Sequence, residues 1–229
     1  MNFGDCVYVA LDGMTRQKAL DLTKKLTRSR YAHLIAGFKI HDLWDRYGPT
    51  IVRDLKKGGA KTIWLDLKLH DTSNTVLLRS QAARRAGADI VSVHAGSGVR
   101  GMRAAVSNGF NVVAITVLTS LDRGETAKIY RSSPRETVLR LHALAKQANC
   151  WGLVCSAQEI QFLPKRGKMK IIVPGIRMKK SSEENQKRTG TSREVLAMGA
   201  DYIVLGSVIT KARDPLATFE QIAAGLDGD

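Results

Sequence analysis

Three times in this chain a glycine-alanine pair leads almost at once into a β-branched or aromatic run: Gly59-Ala60-Lys61-Thr62, Gly87-Ala88-Asp89-Ile90 and Gly199-Ala200-Asp201-Tyr202. Glycine just past a helix end takes the left-handed conformation that stops the helix, so the next strand starts within two or three residues. Around these joints, short apolar runs alternate with amphipathic segments about eight times. Strands are predicted at Cys6–Leu11, Ala36–Ile40, Thr62–Leu67, Ile90–His94, Asn111–Leu118, Gly152–Cys155, Met169–Val173 and Tyr202–Leu205. Helices are predicted at Thr15–Leu26, Tyr47–Gly58, Val76–Ala86, Val99–Ser107, Pro134–Asn149, Ala157–Phe162, Ser192–Met198 and Pro215–Leu226. Strand and helix alternating through tight joints imply a parallel sheet. Eight such units in 229 residues fit an α/β chain closed into a single (β/α)8 TIM barrel, with residues 1–229 as one domain. A doubly wound open sheet is the alternative, but no Gly-x-Gly-x-x-Gly follows the first strand.

Composition narrows the function classes. No apolar run approaches the roughly 20 residues of a membrane span, and Met1-Asn2-Phe3-Gly4-Asp5 has neither the basic nor the apolar region of a signal peptide. Cys6, Cys150 and Cys155 form no metal or disulfide pattern and read as reduced packing residues of a cytoplasmic protein. The net charge of +15 suits anionic partners. Its lysines and arginines are spread over most helices with few aromatics between them, which argues against nucleic-acid binding as the main role.

In a barrel of this type, chemistry collects at the C-terminal ends of the strands. Asp12 follows the first strand, Lys39 lies near the end of the second, and Asp66, Lys68 and Asp71 cluster at the third. His94 ends the fourth, Thr119-Ser120 the fifth and Cys155-Ser156 the sixth; Pro174-Gly175-Ile176-Arg177 follow the seventh and Gly206-Ser207 the eighth. The last two positions commonly hold a phosphate. Side chains two apart on a strand share a face, so Thr62, Trp64, Asp66 and Lys68 are expected opposite Ile63, Leu65 and Leu67. Charges near a barrel core are costly unless paired or used. Alternating lysines and carboxylates hold one another ionised, and a lysine so placed is a loaded proton donor.

Other features favour plainer readings. His94 fits a hydrogen-bonded structural residue better than a base. His41 and His70 lack a second ligand at metal spacing. Ser156 lies in Val-Cys-Ser-Ala-Gln, not in a Gly-x-Ser-x-Gly elbow. The polar, basic run from Arg177 to Arg188 reads as a lid over an anionic ligand.

The stretch Asp66-Leu67-Lys68-Leu69-His70-Asp71-Thr72-Ser73-Asn74-Thr75 resembles the signature of the orotidine 5′-phosphate decarboxylase family. Val9-Ala10-Leu11-Asp12, Phe38-Lys39, Val93-His94-Ala95, Thr116-Val117-Leu118-Thr119-Ser120, Val154-Cys155-Ser156-Ala157-Gln158-Glu159 and Pro174-Gly175-Ile176-Arg177 are similar to its other blocks, in the same order. The core Asp-x-Lys-x-x-Asp is shared with sugar-phosphate decarboxylases and aldolase-like hexulose-phosphate synthases, while His70 and Asn74-Thr75 point to the orotidylate branch. The resemblance implies a homodimer acting on orotidine 5′-phosphate with no metal or organic cofactor. It implies a charged array of Lys39, Asp66 and Lys68, with Lys68 as proton donor and Asp71 crossing to the partner's site. It also implies that Asp12 and Thr75 meet the ribose, Thr119 and Ser120 the pyrimidine, and Arg177, Gln186, Gly206 and Ser207 the phosphate end.

The chain departs from that pattern in three places. Gly206-Ser207-Val208-Ile209 stands where the family usually has Gly-Arg-Pro-Ile, so the phosphate-gripping arginine is replaced by Ser207. Ser73 replaces a proline, and Ile40-His41-Asp42 a Val-Gly. Two alternatives follow: a metal-dependent sugar-phosphate decarboxylase or aldolase of the same superfamily, or a weakened homologue that binds nucleotides.

Overall fold

The computed structural model describes residues 3–164, 167–176 and 191–227. Eight parallel strands close on themselves in chain order, β1 pairing with both β2 and β8. They are β1 (Val7–Ala10), β2 (Ile35–Ile40), β3 (Ile63–Leu69), β4 (Ile90–His94), β5 (Asn111–Ile115), β6 (Gly152–Val154), β7 (Lys170–Val173) and β8 (Tyr202–Leu205). The helices packed outside are α1 (Arg16–Leu26), α2 (Asp42–Tyr47), α3 (Pro49–Lys57), α4 (Ser73–Arg85), α5 (Gly98–Val106), α6 (Arg123–Tyr130), α7 (Pro134–Gln147), α8 (Ala157–Ile160), α9 (Ser192–Ala197), α10 (Ser207–Thr210) and α11 (Pro215–Asp227). The α/β barrel expected from the alternation is therefore the fold observed. Among the described residues no helix is long and apolar enough to cross a membrane.

The Gly-Ala joints terminate helices as the sequence predicts. Gly59, Gly87 and Gly199 have φ of +103°, +89° and +104°. The alanine after each donates its N–H back into the helix, to Leu55, Ala83 and Val195, which satisfies a carbonyl the helix end would leave bare. In two joints the next residue adds a clamp. The Asp89 carboxylate accepts the Ile63 N–H at 2.8 Å and Lys56 Nζ at 3.0 Å. The Asp201 carboxylate likewise accepts the Ile171 N–H at 2.8 Å and Lys170 Nζ at 3.1 Å. Each aspartate thus ties the foot of its own strand to the foot of the preceding one.

Two apolar layers follow from the period of the strands. Ile63, Leu65 and Leu69 join the core between strands and helices, while Trp64 turns inward with Tyr8, Ala10, Ile90, Val113, Ile172 and Val204. Tyr8 sits edge-on to Trp64 at 5.5 Å. Gly37 makes room for that ring, since a Cβ there would lie 2.6 Å from the Thr62 carbonyl and 3.0 Å from Tyr8. Filling the barrel in this way removes large side chains from water, each worth roughly 1.5–3 kcal/mol.

Several boundaries differ from expectation. The helix expected over Tyr47–Gly58 is α3, opened by Pro49, and the short helix α2 that precedes it and ends at Gly48 was not expected. Strand β5 stops at Ile115, so Val117-Leu118, apolar in sequence, belong to the loop at the mouth. Helix α6 was not expected. It buries only Thr126 and is held by a capping box between Asp122 and Glu125. Helix α10 is a further short element directly after β8.

Candidate active site

The third strand is irregular where its charges lie. Leu65 pairs with Val91 and Leu69 with Val93 on β4, so Asp66, Leu67 and Lys68 stand against Ser92 alone. Such a bulge re-aims side chains at a sheet's edge. Lys68 takes a left-handed φ of +46°, and its N–H donates to Ser92 Oγ at 2.9 Å. The simple alternation expected along this strand holds through Asp66 and gives way to the bulge at Lys68.

Four charges are joined at this mouth. Lys39 Nζ donates to Asp12 Oδ2 at 2.7 Å and to Asp66 Oδ2 at 2.9 Å. Lys68 Nζ donates to the same Asp66 oxygen at 2.7 Å. The remaining Asp66 oxygen accepts the Ser92 hydroxyl proton at 2.7 Å. Side-chain exposure is 9% for Lys39 and 7% for Asp66 but 41% for Lys68. The inner pair is sealed in the barrel while the outer ammonium faces the mouth. Burial alone would raise the Asp66 pKa, yet Lys39 and Lys68 outweigh it and hold the carboxyl at about 2. Burial likewise opposes charge on Lys39, and Asp66 and Asp12 outweigh it to raise the Lys39 pKa above its ordinary value. The array is thus a preformed electrostatic environment whose exposed end is an ammonium.

Asp71 does not enter this array within one subunit. It is exposed in the turn before α4, where its Oδ1 accepts the Thr72 N–H at 2.7 Å. Thr72 caps α4, and its hydroxyl lies 3.1 Å from that of Thr75. Thr119 and Ser120 are exposed in the loop after β5. Gly206 precedes α10, and exposed Ser207 opens that helix. Arg177 and Gln186, with the rest of the basic run expected to form a lid, lie outside the described residues.

His94 behaves as the sequence suggested. Burial, then the neighbouring His70, lowers its pKa to about 4. Its Nδ1 accepts the Gly96 N–H at 3.0 Å, and its ring stacks on His70 at 4.9 Å. Cys6, Cys150 and Cys155 are buried and not joined in disulfides.

Two participants were not expected. Ser92, fully buried on β4, touches both the Asp66 side chain and the Lys68 backbone. His41 stands between two carboxylates, with Nε2 3.4 Å from Asp12 and Nδ1 3.7 Å from Asp42. One ligand atom each from Asp12, His41 and Asp42 lie within 4.8 Å of one another, a spacing that could suit a cation. Lys39 and Arg46 already neutralise those two carboxylates, at 2.7 Å each.

Comparison with known proteins yields consistent matches. Residues 5–222 match the model of the Orotidine 5′-phosphate decarboxylase / HUMPS family. The chain is 38% identical to an orotidine 5′-phosphate decarboxylase of Marinomonas sp. (strain MWYL1) over 230 residues, covering 96% of each. It is also 38% identical to one of Geobacillus kaustophilus, covering 92% of this chain and 93% of the other. The crystal structure of orotidine 5′-phosphate decarboxylase from Lactobacillus acidophilus superposes with a TM-score of 0.78 at 28% identity, covering 98% of this chain and all of that one.

Proposed function

Because this chain belongs to the orotidine 5′-phosphate decarboxylase / HUMPS family, we propose that it is a carboxy-lyase converting orotidine 5′-phosphate to UMP in pyrimidine biosynthesis. The observation that carries this reading is the Asp12–Lys39–Asp66–Lys68 array, with Lys68 presented to the mouth. The bond from C6 to the carboxylate breaks, CO2 leaves, and the electron pair stays on C6. That vinylic carbanion has no conjugated carbonyl to spread into, so it needs a fixed positive charge close by. The Lys68 ammonium supplies it and then passes a proton to C6, leaving a neutral amine that solvent reprotonates. Asp66, kept ionised at the same spot, adds repulsion toward the departing carboxylate.

In this reading Asp12 and Thr75 hold the ribose and Thr119 and Ser120 the pyrimidine. Arg177, Gln186, Gly206 and Ser207 receive the phosphate, whose binding energy is spent on the distant chemical step. The enzyme is a homodimer in which Asp71 completes the partner's array. Support comes from the exposure of Asp71 in the turn before α4, outside the array of its own subunit. The residues 1–229 act as one catalytic unit without metal or organic cofactor.

The test is loss of orotidylate absorbance with the purified protein, with and without EDTA. Turnover unaffected by the chelator is expected. Absence of turnover, or dependence on a divalent ion, would favour the sugar-phosphate branch of the family. The crossing of Asp71 has its own test. Inactive Lys68→Ala and Asp71→Ala proteins, mixed and reassociated, should recover about a quarter of parental activity, since half the dimers would hold one complete site. No recovery on verified exchange of subunits would place Asp71 in its own subunit's site.

A further inference from the structure

We infer that Ser92 is a positioning residue of the charged array, coupling the bulge that carries Lys68 to the carboxylate that Lys68 must face. This deepens the decarboxylase reading and rests on it for the chemical consequence. Its hydroxyl is used on both sides: the oxygen accepts the Lys68 N–H at 2.9 Å, and the proton goes to Asp66 Oδ1 at 2.7 Å. The residue is fully buried, so bulk water does not compete for either contact. Without it, Asp66 Oδ1 would be a buried carboxylate oxygen lacking a donor, and the Lys68 N–H would be left without its partner.

The geometry gives this serine leverage beyond packing. Lys68 holds a left-handed backbone, φ +46°, which a lysine keeps only where its surroundings impose it. The bond from its N–H to Ser92 is one such restraint, and it fixes where the side chain leaves the strand. The bond from Ser92 to Asp66 fixes the other end of the Lys68–Asp66 contact. One hydroxyl therefore sets both the position of the ammonium and the orientation of its counter-ion. A misplacement on the scale of 1 Å can cost about a hundredfold in rate.

Asp66 faces Lys39 from β2, Lys68 from its own strand and Ser92 from β4, with Asp12 behind Lys39. A hydrogen bond donated to the charged form of a carboxyl favours that form. Removing the Ser92 donor while leaving both lysines should move the Asp66 titration upward, whatever the substrate.

The experiment compares Ser92→Ala, Ser92→Cys and Ser92→Thr with the parent for kcat, KM and thermal midpoint. The Asp66 carboxyl is followed in the empty enzyme by carbon-13 NMR. For Ser92→Ala, kcat should fall about tenfold to a hundredfold with KM within about twofold. Threonine, which keeps the hydroxyl, should restore most of it. Cysteine, a weak donor of similar size, should fall between and secures the comparison if alanine does not fold. A folded alanine or cysteine variant with parental kcat and an unmoved Asp66 titration would overturn the inference, even if its thermal midpoint fell. A parent that does not turn over orotidylate would overturn the decarboxylase reading instead, and the Asp66 titration would still decide the placing of Ser92.

Discussion

At the foot of the barrel, the β3–β4 and β7–β8 pairs are built alike. Asp89 and Asp201 each accept an N–H at the start of the preceding strand, from the first residue of β3 and the second of β7, at 2.8 Å in both cases, and each takes a lysine at 3.0–3.1 Å. At the mouth the two pairs part company. The β3–β4 end carries a bulge, a left-handed lysine and a buried carboxylate whose two oxygens accept two lysines and a serine hydroxyl. The β8 end offers Gly206, the exposed Ser207 and the exposed Lys211. At the β3–β4 end the charged groups are held in place by the chain itself, whereas the described residues at the β8 end are small or exposed. Repetition at one end and divergence at the other is how a barrel separates stability from chemistry.

That contrast can be broken most forcefully at Lys68. Lys68→Ala should lower kcat/KM by at least about 10⁴-fold, since both charge stabilisation and proton donation are lost. Steady-state assay checks this, and full activity in the variant would remove the mechanism.

The same array should show in acid. Asp66 titrates at about 2 in the fold against a usual 3.8. The unfolded chain therefore takes up this proton at a higher pH than the folded one. The stability gained is complete above about pH 4 and lost as pH falls toward about 2, on the order of 2 kcal/mol. Urea unfolding across that window should show the loss in the parent and not in Asp66→Asn. Equal slopes in the two would mean that the lysines do not hold the carboxylate.

The foot should respond in the opposite sense. Asp89→Ala and Asp201→Ala should each cost about 1–2 kcal/mol and lower the thermal midpoint by a few degrees. Neither should change kcat/KM. A catalytic loss from either would join the two ends that the barrel otherwise keeps apart.

The smallest effect is expected at β8. Ser207→Arg should reduce the Michaelis constant for orotidylate several-fold, by adding a charged grip worth about 1–2 kcal/mol. An unchanged constant would mean that other side chains already supply that charge.

What could be read from the sequence follows the same division. The eight strands, Asp12, Lys39 and Asp66 were legible because a strand period and a barrel topology suffice to place them, and Lys68 was legible as a charge at the mouth although the bulge that aims it was not. Ser92 was not, since a serine within Ile90-Val91-Ser92-Val93-His94 looks like any small residue inside a strand. Its meaning comes from a register shift against another strand, and no local pattern encodes that. His41 depended equally on the approach of Asp12, 29 residues away in the chain. Helix α6 was missed because only Thr126 is buried along it, which leaves no apolar period to detect. The Asp122-x-x-Glu125 cap was the signal available.

The left-handed backbone at Lys68 carries a last consequence. Only glycine adopts that conformation freely, and other residues hold it at a cost of roughly 1–2 kcal/mol. Lys68→Gly should therefore withstand heat better than Lys68→Ala, though both lack the ammonium. The side chain that the proposed chemistry needs at this position and the one its backbone would accept most easily are different. At residue 68, selection for chemistry and selection for foldability pull in opposite directions.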